Sequence, residues 1–250
     1  MPLFGLAVAA LVLADIGTRG WGLQAANQWD ILLGVFNNPF VVVVLLPVIF
    51  WAIVLGSVAA NREEWEYMML VRLPSRAVWW WSRIGAMGAA SLVYTGVLFV
   101  CVILVSVPAV SLEWSWSQLV LLSGWTYPGG LPMSQLYTPP PIILVKIFGL
   151  IWLALFALGT AVAALGFVTR RVAVGWVAGA VSALISYGTW LVAPHFAPWA
   201  PTLQMLLSAH QGFNDGVPGS PALWWSAVMY GILLVGSASV GHLFAFRRDL

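Results

Sequence analysis

The stretch NREEWEYMMLVRLPSRAVWWWSR, residues 61–83, holds seven of the eighteen charged side chains of a 250-residue chain and lies between two long apolar runs. The chemistry open to Arg62, Glu63, Glu64 and Glu66 is that of capping and docking. Asn61 and Glu64 have the spacing of a capping box, in which the Asn side chain accepts from the backbone at Glu64 and the carboxylate reaches back. A helix therefore starts there. It ends near Arg72, because Pro74 pushes Leu73 out of the helical region, and Ser75 is placed to cap a new helix from Arg76. A rod over 62–72 is about 16 Å long, too short to cross a bilayer. Its charges make no clean stripe, since Arg72 falls between Trp65, Met68 and Met69 on a helical wheel. Such a helix fits lipid on one side and a protein partner on the other. Trp79, Trp80 and Trp81, with Arg83 beyond them, are expected to anchor the next helix at the headgroups, so that a push on the short rod reaches it.

Catalytic chemistry is thinly represented. His195, His210 and His242 are the three histidines, and neither H-E-x-x-H nor G-x-S-x-G occurs. Ser208, His210 and Asp215 share one Gly-rich connection, an arrangement more often chance than a triad. Asp15 and Arg19, four apart, read as a mutually satisfying pair or as an intramembrane functional carboxylate. The single Cys101 forms no intrachain disulfide and reads as a small core hydrophobe. No G-x-x-x-x-G-K-[ST] occurs and the one Lys is Lys146, so a Walker lysine is missing and no metal site is indicated.

The elements that must position these residues follow from composition. At 62% hydrophobic, 7% charged, a mean hydropathy of +0.95 and 16 Trp, the chain reads as an integral membrane protein of the all-α class. Six spans are expected, at about residues 2–17, 40–60, 85–107, 147–169, 172–192 and 221–244, forming one transmembrane domain over 1–250. The first is short, contains Asp15, and is read as a retained helix rather than a signal peptide. With the N-terminus inside, Arg62, Arg72, Arg76, Arg83, Arg170, Arg171, Arg247 and Arg248 all face the cytoplasm, which leaves Arg19 and Lys146 to snorkel. A multi-pass protein of the cell (inner or plasma) membrane with both termini cytoplasmic follows. The basic excess is explained by topology and implies no nucleic-acid partner. Two outer connections carry expected short helices, one in SLEWSWSQLVLLSGW (111–125) and one near 202–209, between turn and Pro-rich signals that include YPGG and TPPP.

The order of an acid-capped short helix, a Leu-Pro-Ser-Arg break, a Trp cluster and a Gly/Ala-rich span resembles the first intracellular loop of ABC-2 type permeases, the membrane subunits of type V ATP-binding-cassette exporters. The six-span layout and the membrane-dipping segment before the last span look like that family as well, so the resemblance covers nearly the whole chain. It implies that Arg62, Glu63, Glu64, Trp65, Glu66, Pro74, Ser75 and Arg76 couple to a separate cytosolic ATPase, which alone binds ATP and Mg. It also implies a second permease chain, as a homodimer or heterodimer, with the first and fifth spans at the seam. Gly175 and Gly179 then form a candidate dimer-packing pair, and Gly85 with Ala89 a second small pair, ordinary intrachain packing being the other reading. The chain itself is no enzyme and binds no cofactor. Scarce intramembrane charge points to a lipid-like, peptide or other amphipathic cargo. The alternative class is a non-transporting membrane module, such as an immunity or assembly factor, gripping a partner through the same loop.

Overall fold

The computed structural model describes residues 26–60, 75–107, 110–111, 113–117, 120, 132–135, 137–213 and 219–247. The first expected span with Asp15 and Arg19, and the loop residues Arg62, Glu63, Glu64, Trp65, Glu66 and Pro74, lie outside them. Among the described residues the fold is all-helical, with α1 (Gln28–Phe36), α2 (Leu46–Ala60), α3 (Arg76–Ser106), α4 (Pro140–Val168), α5 (Val172–Val192) and α6 (Leu223–Arg247).

Four of these, α3 to α6, are long and apolar enough to cross a membrane, and a fifth crossing exists if α1 and the Val41–Leu55 helix, bent by 60°, count as one broken span. The six expected spans are thus matched by four or five among the described residues. Where α1 breaks, the residues are Asn37-Asn38-Pro39. The Asn38 side chain accepts from the amides of Phe40 at 3.0 Å and Val41 at 3.2 Å, restarting the helix in a new direction. The next turn, Val41–Leu45, is a π-helix in which the Leu46 amide reaches back to the Val41 carbonyl. Pro47 supplies the reason, since it has no N–H to continue the i−4 ladder and its ring displaces the carbonyl four residues back.

The remaining boundaries follow local rules. Ser75 caps α3, accepting from the Val78 amide at 3.3 Å, as its spacing predicts. Helix α4 begins at Pro140, seven residues before the expected start at 147, because prolines are tolerated in the first turn, where the missing N–H would be unpaired anyway. Helix α5 matches the expected 172–192. The single helix expected near 202–209 is instead two 3₁₀ turns, Leu203–Met205 and Leu207–Ala209, preceded by a third, Pro194–Trp199. Residues 113–117, inside the expected 111–125 helix, are irregular.

Helix α4 is the hub, packing on α3, α5 and α6. Its fully buried Ile143, Ile147, Ile151 and Ala154 meet a core that includes Phe50, Trp51 and Tyr230. Close approach of α5 relies on two glycines. A Cβ on Gly175 would sit 2.3 Å from the Val162 carbonyl oxygen, and one on Gly179 would sit 2.8 Å from the Trp51 ring. That pair therefore packs inside the chain, against α4 and α2. The second small pair lies on the other side of the bundle wall: Gly85 and Ala89 are exposed on α3, and a Cβ on Gly85 would meet nothing within 4 Å.

Candidate functional site

Two polar or aromatic assemblies sit at opposite ends of the bundle. At the end where α3 begins, Trp80 is buried and inlaid into α6. Its Nε1 donates to the Ala238 carbonyl at 2.8 Å, and its ring lies where a Cβ on Gly241 would sit, 1.9 Å from Cζ2. Phe167, near the end of α4, stacks on Trp80 with centroids 5.5 Å apart and tilts against Trp79 at 5.5 Å. The Arg83 guanidinium lies 4.2 Å above the Trp79 ring, a cation–π contact. These residues form their own small core with Ile84, Ala164, Ala238 and Ala245. The expected headgroup anchor is thus divided: Trp79 and Trp80 clamp α3 to α4 and α6, while Trp81, 52% exposed, keeps the surface position and leans on His242 at 6.0 Å. Ser75 caps the same helix from its first residue, and the side chain of Arg76 is outside the described part.

At the far end, α1 opens with a capping box. The Asn27 side chain accepts from the amides of Trp29 and Asp30, while the Asp30 carboxylate accepts from the Asn27 amide at 2.9 Å. The same helix end clasps the 111–117 segment. Asn27 Nδ2 donates to the Ser115 carbonyl at 2.7 Å, Gln28 Nε2 to the Glu113 carbonyl at 2.8 Å, and Gln28 Oε1 accepts from the Glu113 amide at 3.2 Å. Asp30 is fully buried within the first turn of α1.

Beside this clasp, the 194–213 segment folds back onto α6. His210 Nε2 lies 2.5 Å from Ser226 Oγ, Ser226 Oγ 2.5 Å from Gln204 Oε1, and Gln204 Nε2 donates to the Ala197 carbonyl at 2.6 Å. His210 Nδ1 faces the Leu206 and Leu207 carbonyls at 3.0 and 3.3 Å. Burial pushes this imidazole below its ordinary value, opposed by the carbonyls of Leu207 and Leu206. A serine on a histidine invites comparison with a nucleophile and its base. Both side chains are fully buried, however, and the nearby 410 Å³ cavity is walled by Pro198, Gln211, Pro221, Ala222, Trp224 and Trp225, not by either of them. Among the described residues, the contacts of Ser226 and His210 tie the 194–213 segment to α6. Among the described residues no cluster of His, Cys, Asp or Glu is arranged to hold a metal.

Of the residues singled out in the sequence, Trp79, Trp80 and Arg83 come together at the α3 start, Gly175 and Gly179 both pack inside the chain, and the Ser208 amide donates to Asn37 Oδ1 at 3.1 Å. Asp215 lies outside the described residues. Asn27 and Asp30 could have been found by the same capping-box spacing that marks Asn61 and Glu64. The pairing of His210 with Ser226, sixteen residues on, carries no local signal. Comparison with family models, with curated proteins and with solved structures finds no match to this chain.

Proposed function

We propose that this chain is the membrane permease half of an ATP-driven exporter, in the manner of the ABC-2 type permeases it resembles, with the 61–74 loop as the docking site for a separate cytosolic ATPase. The observation that carries the reading is the continuity of α3. It starts at the Ser75 cap directly after the charged loop and runs unbroken for 31 residues, and its first turns are clamped to α4 and α6 through Trp79, Trp80 and Phe167. A rigid rod gripped at its base transmits displacement of the loop to the bundle. In this orientation the α3 start faces the cytoplasm and the 111–117 and 194–213 segments face outward.

A second permease copy is part of the reading. The open Gly85–Ala89 face of α3 supports close helix contact better than Gly175 and Gly179, which are covered within the chain. Exposed Val93, Val100 and Leu104 on α3, and Leu184 and Ile185 on α5, support lateral passage of a lipid-like or amphipathic cargo. Vesicle transport of a hydrophilic ion would overturn that choice of cargo.

The deciding experiment is purification of the tagged chain in mild detergent with its neighbouring proteins, with and without charge reversal at Glu64 and Arg76. A stoichiometric ATPase that is lost in the variant, with the helical fold retained, supports coupling through this loop. If no ATPase is captured even after cross-linking in membranes, the exporter reading fails and a non-transporting membrane module takes its place.

A further inference from the structure

Helix α5 and the 194–201 stretch enclose a cavity of 420 Å³, within the range of small-molecule sites. One side is a single face of α5, on which Ala178, Ser182 and Ser186 recur every four residues. The other is made by Phe196, Trp199 and Pro201. That second wall is fastened to α6. Trp225 Nε1 donates to the Pro198 carbonyl at 3.1 Å, Trp199 stands edge-on to Trp225 with centroids 5.9 Å apart, and Tyr230 donates its hydroxyl hydrogen to the Pro201 carbonyl at 2.8 Å.

One buried group in this lining stands alone. Ser186 is 1% exposed, and among the described residues its Oγ has no hydrogen-bond partner. Other hydroxyls of these helices turn back on their own backbone: Thr95 donates to the Ser91 carbonyl at 2.9 Å, Thr160 to the Phe156 carbonyl at 2.8 Å, and Thr189, on the same wall of the cavity, to the Ile185 carbonyl at 2.8 Å. Ser186 makes no such bond. Leaving a hydroxyl unpaired among apolar walls is unfavourable, so the site calls for an occupant that brings an acceptor oxygen to this point.

Depth along the helix selects the occupant. With 21 residues α5 is about 30 Å long, the thickness of one hydrocarbon core. Trp190 lies four residues beyond Ser186, about 6 Å closer to the end where tryptophans gather at the headgroups. A headgroup layer is about 5–8 Å thick, half the difference between a whole bilayer and its hydrocarbon core, and the ester carbonyls of a glycerolipid lie at its inner edge. Ser186 stands at that level. Beneath it the lining runs on through Ser182 to Ala178, about 12 Å of further depth for a hydrocarbon chain. Phe196, Trp199, Val181 and Ile185 are exposed, so the cavity opens sideways to lipid.

We propose that the cavity between α5 and the 194–201 stretch binds one chain of a membrane glycerolipid, with Ser186 donating its hydroxyl hydrogen to the ester carbonyl of that chain. The lipid is a resident of the surrounding bilayer, so the inference needs neither an ATPase partner nor transport and stands if the exporter reading fails. It commits the site to ester-linked lipids, because an ether-linked lipid of the same shape presents no carbonyl to the hydroxyl.

The test uses the full chain, purified in mild detergent, stripped of lipid and offered an equimolar mixture of diester and diether phosphatidylglycerol with the same chains. Native mass spectrometry identifies the first lipid bound. The parent should favour the diester by about 2- to 12-fold, the preference one net hydrogen bond confers. Ser186→Ala should bind the two lipids equally, while Thr189→Val, whose lost hydroxyl serves its own backbone, should keep the preference. Ala178→Leu fills the deep end of the cavity from an exposed position and should lower occupancy by both lipids. The proposal is overturned if the parent binds the two equally, as it would were a water molecule the partner of Ser186, if Ser186→Ala retains the preference, or if Ala178→Leu leaves occupancy unchanged. Should Ser186→Ala fail to fold, the parent ratio and Ala178→Leu decide.

Discussion

Adding one methyl group to α6 tests whether Trp80 clamps α3. In Gly241→Ala the new Cβ would lie 1.9 Å from Trp80 Cζ2, 2.4 Å from Cε2 and 2.5 Å from Cη2. Ordinary contact begins at 3.4 Å, so the indole must retreat by about 1.5 Å (3.4 less 1.9). Its Nε1 donates to the Ala238 carbonyl at 2.8 Å and its ring is 2% exposed, so a retreat of that size breaks the bond inside a closed site. An unpaired buried donor costs about 1–3 kcal/mol. Overpacking adds about 1–3 kcal/mol, and the better helix propensity of Ala returns about 1 kcal/mol. The net loss is about 1–5 kcal/mol.

The same helix supplies its own controls, because a Cβ on Gly231 or Gly236 meets nothing within 4 Å. Both Ala variants should be neutral or up to about 1 kcal/mol more stable. Reversible unfolding in mixed micelles, followed by tryptophan fluorescence, measures all three. A Trp80→Phe background should reduce the Gly241→Ala loss by about 0.5–3 kcal/mol, the usual coupling of residues in contact. If the three Ala variants are indistinguishable, Trp80 is not seated on Gly241, and the mechanical reading of α3 loses its support.

Gly175→Ala places a Cβ 2.3 Å from the Val162 carbonyl oxygen, so it should lower the stability of the single chain by about 1–3 kcal/mol without selectively shifting a monomer–dimer ratio, as sedimentation in detergent can show. Ser75→Ala removes the cap on α3 and should fray its first turn by about 0.5–2 kcal/mol, read as faster exchange at the Val78 amide. Asp30→Ala removes the carboxylate that accepts from the Asn27 amide and should loosen the start of α1 by about 0.5–2 kcal/mol. The loss is read as faster hydrogen exchange at the Asn27 amide and, across the clasp, at the Glu113 amide.

Much of the helical frame is legible in single residues. Ser75 before Arg76 and the turn at Arg170-Arg171 mark helix ends through rules that act within one turn. The prolines mislead by position. Pro140 and Pro141 stand at the start of α4, where they are tolerated, and Pro47 reshapes the preceding turn into a π-helix without ending the helix. The 202–209 stretch is apolar enough for a helix, yet it folds as 3₁₀ turns in which the Gln204 side chain meets Ser226 of α6 and the Ser208 amide donates to Asn37.

Composition and hydropathy by themselves determined that this chain is helical and apolar on the scale of a bilayer, because an apolar run of that length must satisfy its backbone within the segment. The resemblance of the 61–83 stretch to a permease loop is likewise a property of residue order. Only the tertiary structure decided which faces those helices present. It turned Gly175 and Gly179 inward and left Gly85 open, placed two of three adjacent tryptophans in a core and one on the surface, and set His210 on Ser226. Each of these outcomes depends on the rotation of one helix against another, and that is fixed by side-chain packing across long sequence separations, where spacing along the chain carries no signal.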